Sequence, residues 1–142
     1  MVKKLAESSP VEPFARMLSD LKYSLEPYRD KILFAYLFGS AAKGEATARS
    51  DLDIAVFFAD PRPQSHHSLR IDIYMALSRL LKINDMDIVI LNTASNLMLL
   101  DEIVRQGIVL LDVAPFFREE FELRILHRAI DFREQRKAAM GI

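Results

Sequence analysis

No cysteine occurs among the 142 residues, which removes disulfide frameworks, thiolate-bound zinc or iron–sulfur sites and a thiol nucleophile in one step. The longest uninterrupted apolar run is the seven residues from Ile32 to Phe38, far short of the roughly 18 that a membrane-spanning helix requires. Lys3 and Lys4 are followed by no apolar stretch of the signal-peptide kind. Nor is there an excess of one charge. With 19 Lys+Arg against 20 Asp+Glu the formal charge is -1, so the surface is not built to neutralise a nucleic-acid backbone, and any phosphate chemistry has to be local. These absences predict a soluble, cytoplasmic protein with no membrane partner, and they argue against a nucleic-acid partner. What is present is a core: 51% apolar and 27% charged residues, in a length that suits one domain spanning 1–142, with no internal repeat or dividing linker.

Ser9, Pro10 and Glu12 have the form of a helix start, and Phe14, Met17, Leu18, Leu21 and Leu25 then recur at helical spacing until Pro27. Ile32 to Phe38 is too short and too uniformly apolar for a surface helix, and it predicts a central strand covered on both faces that runs directly into Gly39 and Ser40. Leu52 to Phe58 predicts a second strand, with Leu52, Ile54, Val56 and Phe58 on one face and Asp53, Ala55 and Phe57 on the other. Pro61 and Pro63 make 60–65 a connection, after which Leu69, Ile73, Ala76, Leu77, Leu80 and Leu81 mark a helix. A third strand is expected over 87–91. A helix over 95–105 follows, closed by Gly107 as a left-handed cap, then a short strand over 108–111. Pro115 opens a last helix to about Lys137 with two opposed apolar sides, Phe117, Phe121, Ile125 and Phe132 on one and Leu123, Leu126 and Ile130 on the other. One side can cover the domain, and the other is a candidate partner interface.

The chemistry is concentrated in Leu37 to Val56, LFGSAAKGEATARSDLDIAV. A glycine lets the backbone turn sharply and approach a ligand, and a serine offers a hydroxyl and an amide to phosphate oxygens, so Gly39 and Ser40 form a candidate phosphate grip to which Lys43 adds a point charge. Asp51 and Asp53, at i and i+2 of a strand, project to one side and offer the hard oxygen ligands that magnesium prefers.

Gly39-Ser40, ten residues, then Asp51-Leu52-Asp53 resembles the signature of the DNA polymerase β nucleotidyltransferase superfamily. The longer pattern GSxAxGxxxxxSDxD, with Gly44 and Ser50 in the loop, is similar to its minimal nucleotidyltransferase (MNT) branch. The resemblance covers roughly Phe14 to Leu111. It implies an α/β (α+β) fold, a small mixed sheet flanked by helices, with a motif core over about 32–91 and a C-terminal helix over about 115–137. It implies a third carboxylate on an adjacent strand, for which Asp87, directly before Ile88, Val89 and Ile90, is preferred to Asp85 in the preceding turn. Asp51, Asp53 and Asp87 are then the catalytic and metal-binding set for two Mg²⁺ ions, and Gly39, Ser40 and Lys43 the nucleotide-binding set. Lys43 stands where many relatives carry arginine and lacks its planar two-pronged donor. Within the MNT branch, the implied function is that of an antitoxin in a type VII pair, moving AMP from ATP to a tyrosine of a HEPN-domain ribonuclease toxin. A non-catalytic antitoxin that masks its toxin, and nucleotidylation of a small hydroxylated molecule, are the alternatives.

Other polar features read as ordinary surface. His66 and His67 are expected in a solvated loop. Arg62 and His67 enclose four residues, as in HEPN-type ribonucleases, but the prolines are expected to preclude the helix which that motif needs. His127 has no partner carboxylate at a catalytic spacing. Arg118, Arg124, Arg128, Arg133, Arg136 and Lys137 alternate with acids and form a solvated helix face.

Overall fold

The alternation of apolar residues along Ile32–Phe38 has two destinations, one on each side of a sheet. In the structure, a computed structural model that describes residues 11–44, 51–83 and 85–141, this segment is strand β1. The chain runs through α1 (Val11–Leu25), a short 3-10 turn (Glu26–Tyr28), β1 (Ile32–Phe38), the single helical turn α2 (Gly39–Ala42) and β2 (Leu52–Phe58). It continues through α3 (Pro63–Leu81), β3 (Met86–Ile90), α4 (Leu97–Gln106), β4 (Ile108–Asp112) and α5 (Pro115–Ala139). Ser9, Pro10 and Ser50 lie outside the described residues.

The sheet is four-stranded and mixed, in the order β3-β2-β1-β4. β1 pairs antiparallel with both β2 and β4, and β2 pairs parallel with β3, the pairing that a helical crossover such as α3 permits. β1 is therefore central, and nearly every residue in it is buried. On one face Ala35, Leu37, Ile54, Val56, Phe58 and Ile88 pack with Leu21 and Leu25 of α1 and Ile73 and Leu77 of α3. On the other, Phe34, Tyr36, Phe38 and Ala55 meet Leu100 and Ile103 of α4 and Phe121 and Ile125 of α5. Phe34 stacks on Phe57 with ring centroids 5.1 Å apart, and Phe121 packs against both. Fully burying a ring such as Phe34 contributes about 1.5–3 kcal/mol, so this aromatic cluster adds substantially to the core.

Three local expectations are corrected. Pro63 opens α3 instead of preventing it, because proline at the first helical position supplies the required φ and sacrifices an N–H that has no intrahelical partner. His66 is consequently buried, stacked on Phe58 at 5.2 Å with Nε2 against the Asp60 carbonyl, whereas His67 is exposed beside Arg70. Arg62, just before the helix, pairs with Asp60 at 2.8 Å, so the Arg62–His67 spacing builds no site even though a helix forms. Gly107 is extended, at φ -70 and ψ 152, and is not a left-handed cap. Its missing side chain serves close approach, since a Cβ there would meet the Ile103 carbonyl at 2.4 Å and the Tyr36 ring at 3.2 Å.

α5 buries Phe121, Ile125 and Ala129, while Phe117 and Phe132, expected with them, are 41% and 38% exposed. Two ionic clusters fasten it, one near its start and one toward its end. Tyr36 donates its hydroxyl to Glu122 at 2.7 Å, and Arg118 bridges Asp112 and Glu122. Asp101 of α4, 5% exposed, accepts from Arg105 and from Arg133 of α5.

Candidate active site

The first element of the site is the turn that ends β1. Gly39 has φ +73, in the left-handed region, and a Cβ placed there would stand 2.4 Å from Oδ2 of Asp53. Only glycine allows the backbone to reverse and the carboxylate to lie against it. Ser40 follows, exposed, and Lys43 ends the helical turn with Nζ 3.8 Å from Oε1 of Glu102 on α4.

The ladders place the carboxylates. Asp53 is opposite Phe38 in the antiparallel pairing and opposite Asp87 in the parallel one. Register partners in a parallel pair point to the same face, so Asp53 and Asp87 are neighbours on the side of the sheet that carries α4. Asp51 stands two residues before Asp53, exposed at the mouth of β2. Asp87 is within β3, and Asp85 is the exposed residue just ahead of it, its carbonyl accepting from the Leu52 amide at 3.2 Å.

Burial pushes the Asp53 carboxyl above the usual carboxylate range, and the negative charges of Asp87, Asp51 and Glu102 push it in the same direction. Both causes disfavour the charged form, so the site as built rewards an arriving cation. Among the described residues no three acidic or histidine side chains already stand close enough to enclose a metal ion. The donor set nonetheless fits a hard divalent cation: oxygen ligands only, from carboxylates on β2, at its entrance and on the adjacent β3, with the charges of Asp51 and Asp87 both acting against that of Asp53.

A cavity of about 180 Å³ opens beside this set, lined by Asp51, Tyr74, Asp85, Met86 and Asp87. A groove of about 270 Å³ between α3 and β3 shares Tyr74, Met86 and Asp87 with it. The two deepest-buried polar features elsewhere, His66 and Asp101, are not part of this region: His66 packs on Phe58 at the other end of β2, and Asp101 faces α5. Glu102 and Tyr74 belong to the site and were missed by sequence reasoning. Each is one polar or aromatic position on an amphipathic helix, with no spacing signal to separate it from solvated neighbours.

A sequence model of the family described as polymerase beta, nucleotidyltransferase, matches residues 20–115, which include every strand and all the carboxylates above. The chain belongs to the polymerase β nucleotidyltransferase family. The mixed sheet with its flanking helices is the fold expected for that family.

Several solved structures share the nucleotidyltransferase fold over nearly their whole length. An Asp-to-Glu double mutant of the MntA–HepT toxin–antitoxin is 26% identical, with a TM-score of 0.69, covering 87% of this chain and 95% of that one. A toxin–antitoxin crystallised with AMP-PNP is 27% identical, with a TM-score of 0.68 and the same coverages, 87% and 95%. A chain in the structure of the tri-AMPylated Shewanella oneidensis HEPN toxin in complex with MNT antitoxin is 25% identical, with a TM-score of 0.65, covering 90% of this chain and 96% of that one. A comparison with curated proteins returns no match. No helix of this nucleotidyltransferase, among the described residues, is long and apolar enough to cross a membrane.

Proposed function

We propose that this nucleotidyltransferase transfers AMP from ATP to a tyrosine hydroxyl of a HEPN-domain toxin and thereby acts as the toxin's antitoxin. The observation that carries the reading is the register pair Asp53–Asp87 set against the Gly39 turn, on a fold shared with MNT antitoxins in complex with HEPN toxins, one of them tri-AMPylated. AMP-PNP in another of these relatives supports ATP as donor.

In this reading Gly39 and Ser40 hold the terminal phosphates through a backbone amide and a hydroxyl, and Lys43 adds a positive charge at their edge. Asp51, Asp53 and Asp87 are the residues that hold Mg²⁺, which when bound neutralises charge on the triphosphate and lowers the proton affinity of the attacking oxygen. Asp87, exposed at the rim, accepts the proton of the tyrosine hydroxyl. The tyrosine oxygen forms a bond to the α-phosphorus as the bond to the bridging oxygen of pyrophosphate breaks, so that AMP remains on the acceptor. The openness of the site, with Ser40, Asp51 and Asp87 all exposed, suits an acceptor as large as a protein.

Mass spectrometry of a HEPN partner incubated with this protein, ATP and Mg²⁺ is expected to show added AMP on tyrosine. Asp51→Ala with Asp53→Ala should abolish that addition and toxin neutralisation while leaving the complex intact. Neutralisation that survives the double substitution would favour masking instead, and absence of AMP addition by the unaltered protein would falsify the catalytic reading.

A further inference from the structure

Glu102 is an acidic side chain of the site that no motif marks, and it is tied to both halves of the site. Its Oε1 is 3.8 Å from the Lys43 ammonium, and its charge reaches Asp53. Successive helical residues are about 100° apart, so when Asp101 faces α5 its neighbour is turned toward α2. The bonds from Asp101 to Arg105 and Arg133 brace α4 at this point, which fixes where the Glu102 side chain starts. Lys43, in contrast, sits at the end of a four-residue helical turn, with Gly44 at φ +72 next to it, and its side chain is 42% exposed.

We infer that Glu102 is a positioning residue that competes with the triphosphate for Lys43, holding the ammonium beside the Gly39–Ser40 grip and yielding it when nucleotide binds. The inference rests on the nucleotidyltransferase reading of that grip. Its physical basis is the arrangement of charges. A long, flexible lysine is paired at the edge of bonding range with a carboxylate anchored on a rigid helix, and a polyphosphate presents several oxygens against that single one. Lys43 gains by moving, and the lost pair with Glu102 is subtracted from nucleotide affinity. Such an arrangement keeps affinity moderate and lets pyrophosphate depart.

The test is a double-mutant cycle on nucleotide binding, read by calorimetry with AMP-PNP and Mg²⁺, which needs no acceptor. Half-exposed pairs of this kind shift equilibria modestly, so Glu102→Gln is expected to tighten AMP-PNP binding about three- to fivefold, and KM for ATP should fall while kcat changes less. Lys43→Met should weaken binding, and in that background Glu102→Gln should gain distinctly less. Equal gains with and without Lys43 would mean that Glu102 only repels phosphate, and no gain or a loss would mean that it is structural. Either overturns the inference. A melting temperature for each variant confirms that the chain is folded. If the unaltered protein binds no nucleotide, the family reading of the grip fails and this inference goes with it; if it binds and the cycle is flat, only this inference is lost.

Discussion

At the scale of single residues, Asp53 shows how a position proposed to bind metal is held against its own stability. Burial is the larger cause of its raised carboxyl affinity for protons, and the charges of Asp87, Asp51 and Glu102 add to it. A carboxylate whose folded value lies above the unfolded one imposes no penalty at low pH, where both states are protonated, and an increasing one as pH rises through the folded value. Asp53→Asn is therefore expected to raise the melting temperature near pH 7 in EDTA, with the gain vanishing toward pH 3. Solvent screening at this partly open site keeps the effect below about 1 kcal/mol. Adding Mg²⁺ should stabilise the unaltered protein more than the variant, and AMP transfer by the variant should be lost. Thermal melts across pH, with and without divalent cation, check all three outcomes; a variant less stable than the parent at pH 7 would show that Asp53 serves the fold. Gly39 is the complementary case, because its value is the absent Cβ that would otherwise collide with that same carboxylate.

Among the elements, strands were more legible than the ends of helices. Ile32–Phe38 and Leu52–Phe58 have the expected bounds because apolar runs ending at Gly39 and alternating from Asp51 leave little choice of period. The start of α3 is not legible, since Pro61 and Pro63 mark a turn and a first helical residue equally well, and the packing of His66 on Phe58 goes with the helical choice. Gly107 is legible as a helix stop but not in its extended conformation, nor in the close approach of the Ile103 carbonyl and the Tyr36 ring to it. The Asp101 brace was invisible, because an Asp–Arg pair 32 residues apart exists only once α4 and α5 are side by side. That brace has a measurable consequence. Asp101→Ala leaves two guanidinium groups without their buried acceptor, and hydrogen bonds to charged groups contribute about 1.5–3 kcal/mol each in favourable settings. With Arg105 and Arg133 both 44% exposed and able to recruit water, an overall loss of about 1–2 kcal/mol is expected, read as a lower urea midpoint with unchanged slope. A midpoint that does not move would show the pair to be a surface contact of no energetic weight.

For the whole molecule, strand order is where sequence reading stopped and tertiary pairing took over. Nothing local indicates that β4 flanks β1 while β3 flanks β2, yet that order is what brings Asp87 level with Asp53 and leaves α5 crossing the face away from α3. Of the second apolar side of α5 expected from periodicity, Leu126 is half-buried, whereas Leu123 is 56% exposed and Ile130 48%, seven residues apart and so on one stripe. We propose this stripe as the surface that meets a partner, because its apolar residues add nothing to the core of the isolated protein. If that partner is the HEPN toxin, Leu123→Lys with Ile130→Lys should leave the melting temperature within about 0.5 kcal/mol of the parent, because neither side chain is buried. The same pair should weaken the complex by at least tenfold, since two apolar anchors become desolvated charges. AMP addition to the toxin should fall at limiting toxin concentration and recover toward the parent rate as toxin is raised, because the substitutions lie outside the carboxylate site and act on docking alone. Unchanged affinity would move the interface to another face of the molecule and leave the chemistry at Asp53 and Asp87 untouched.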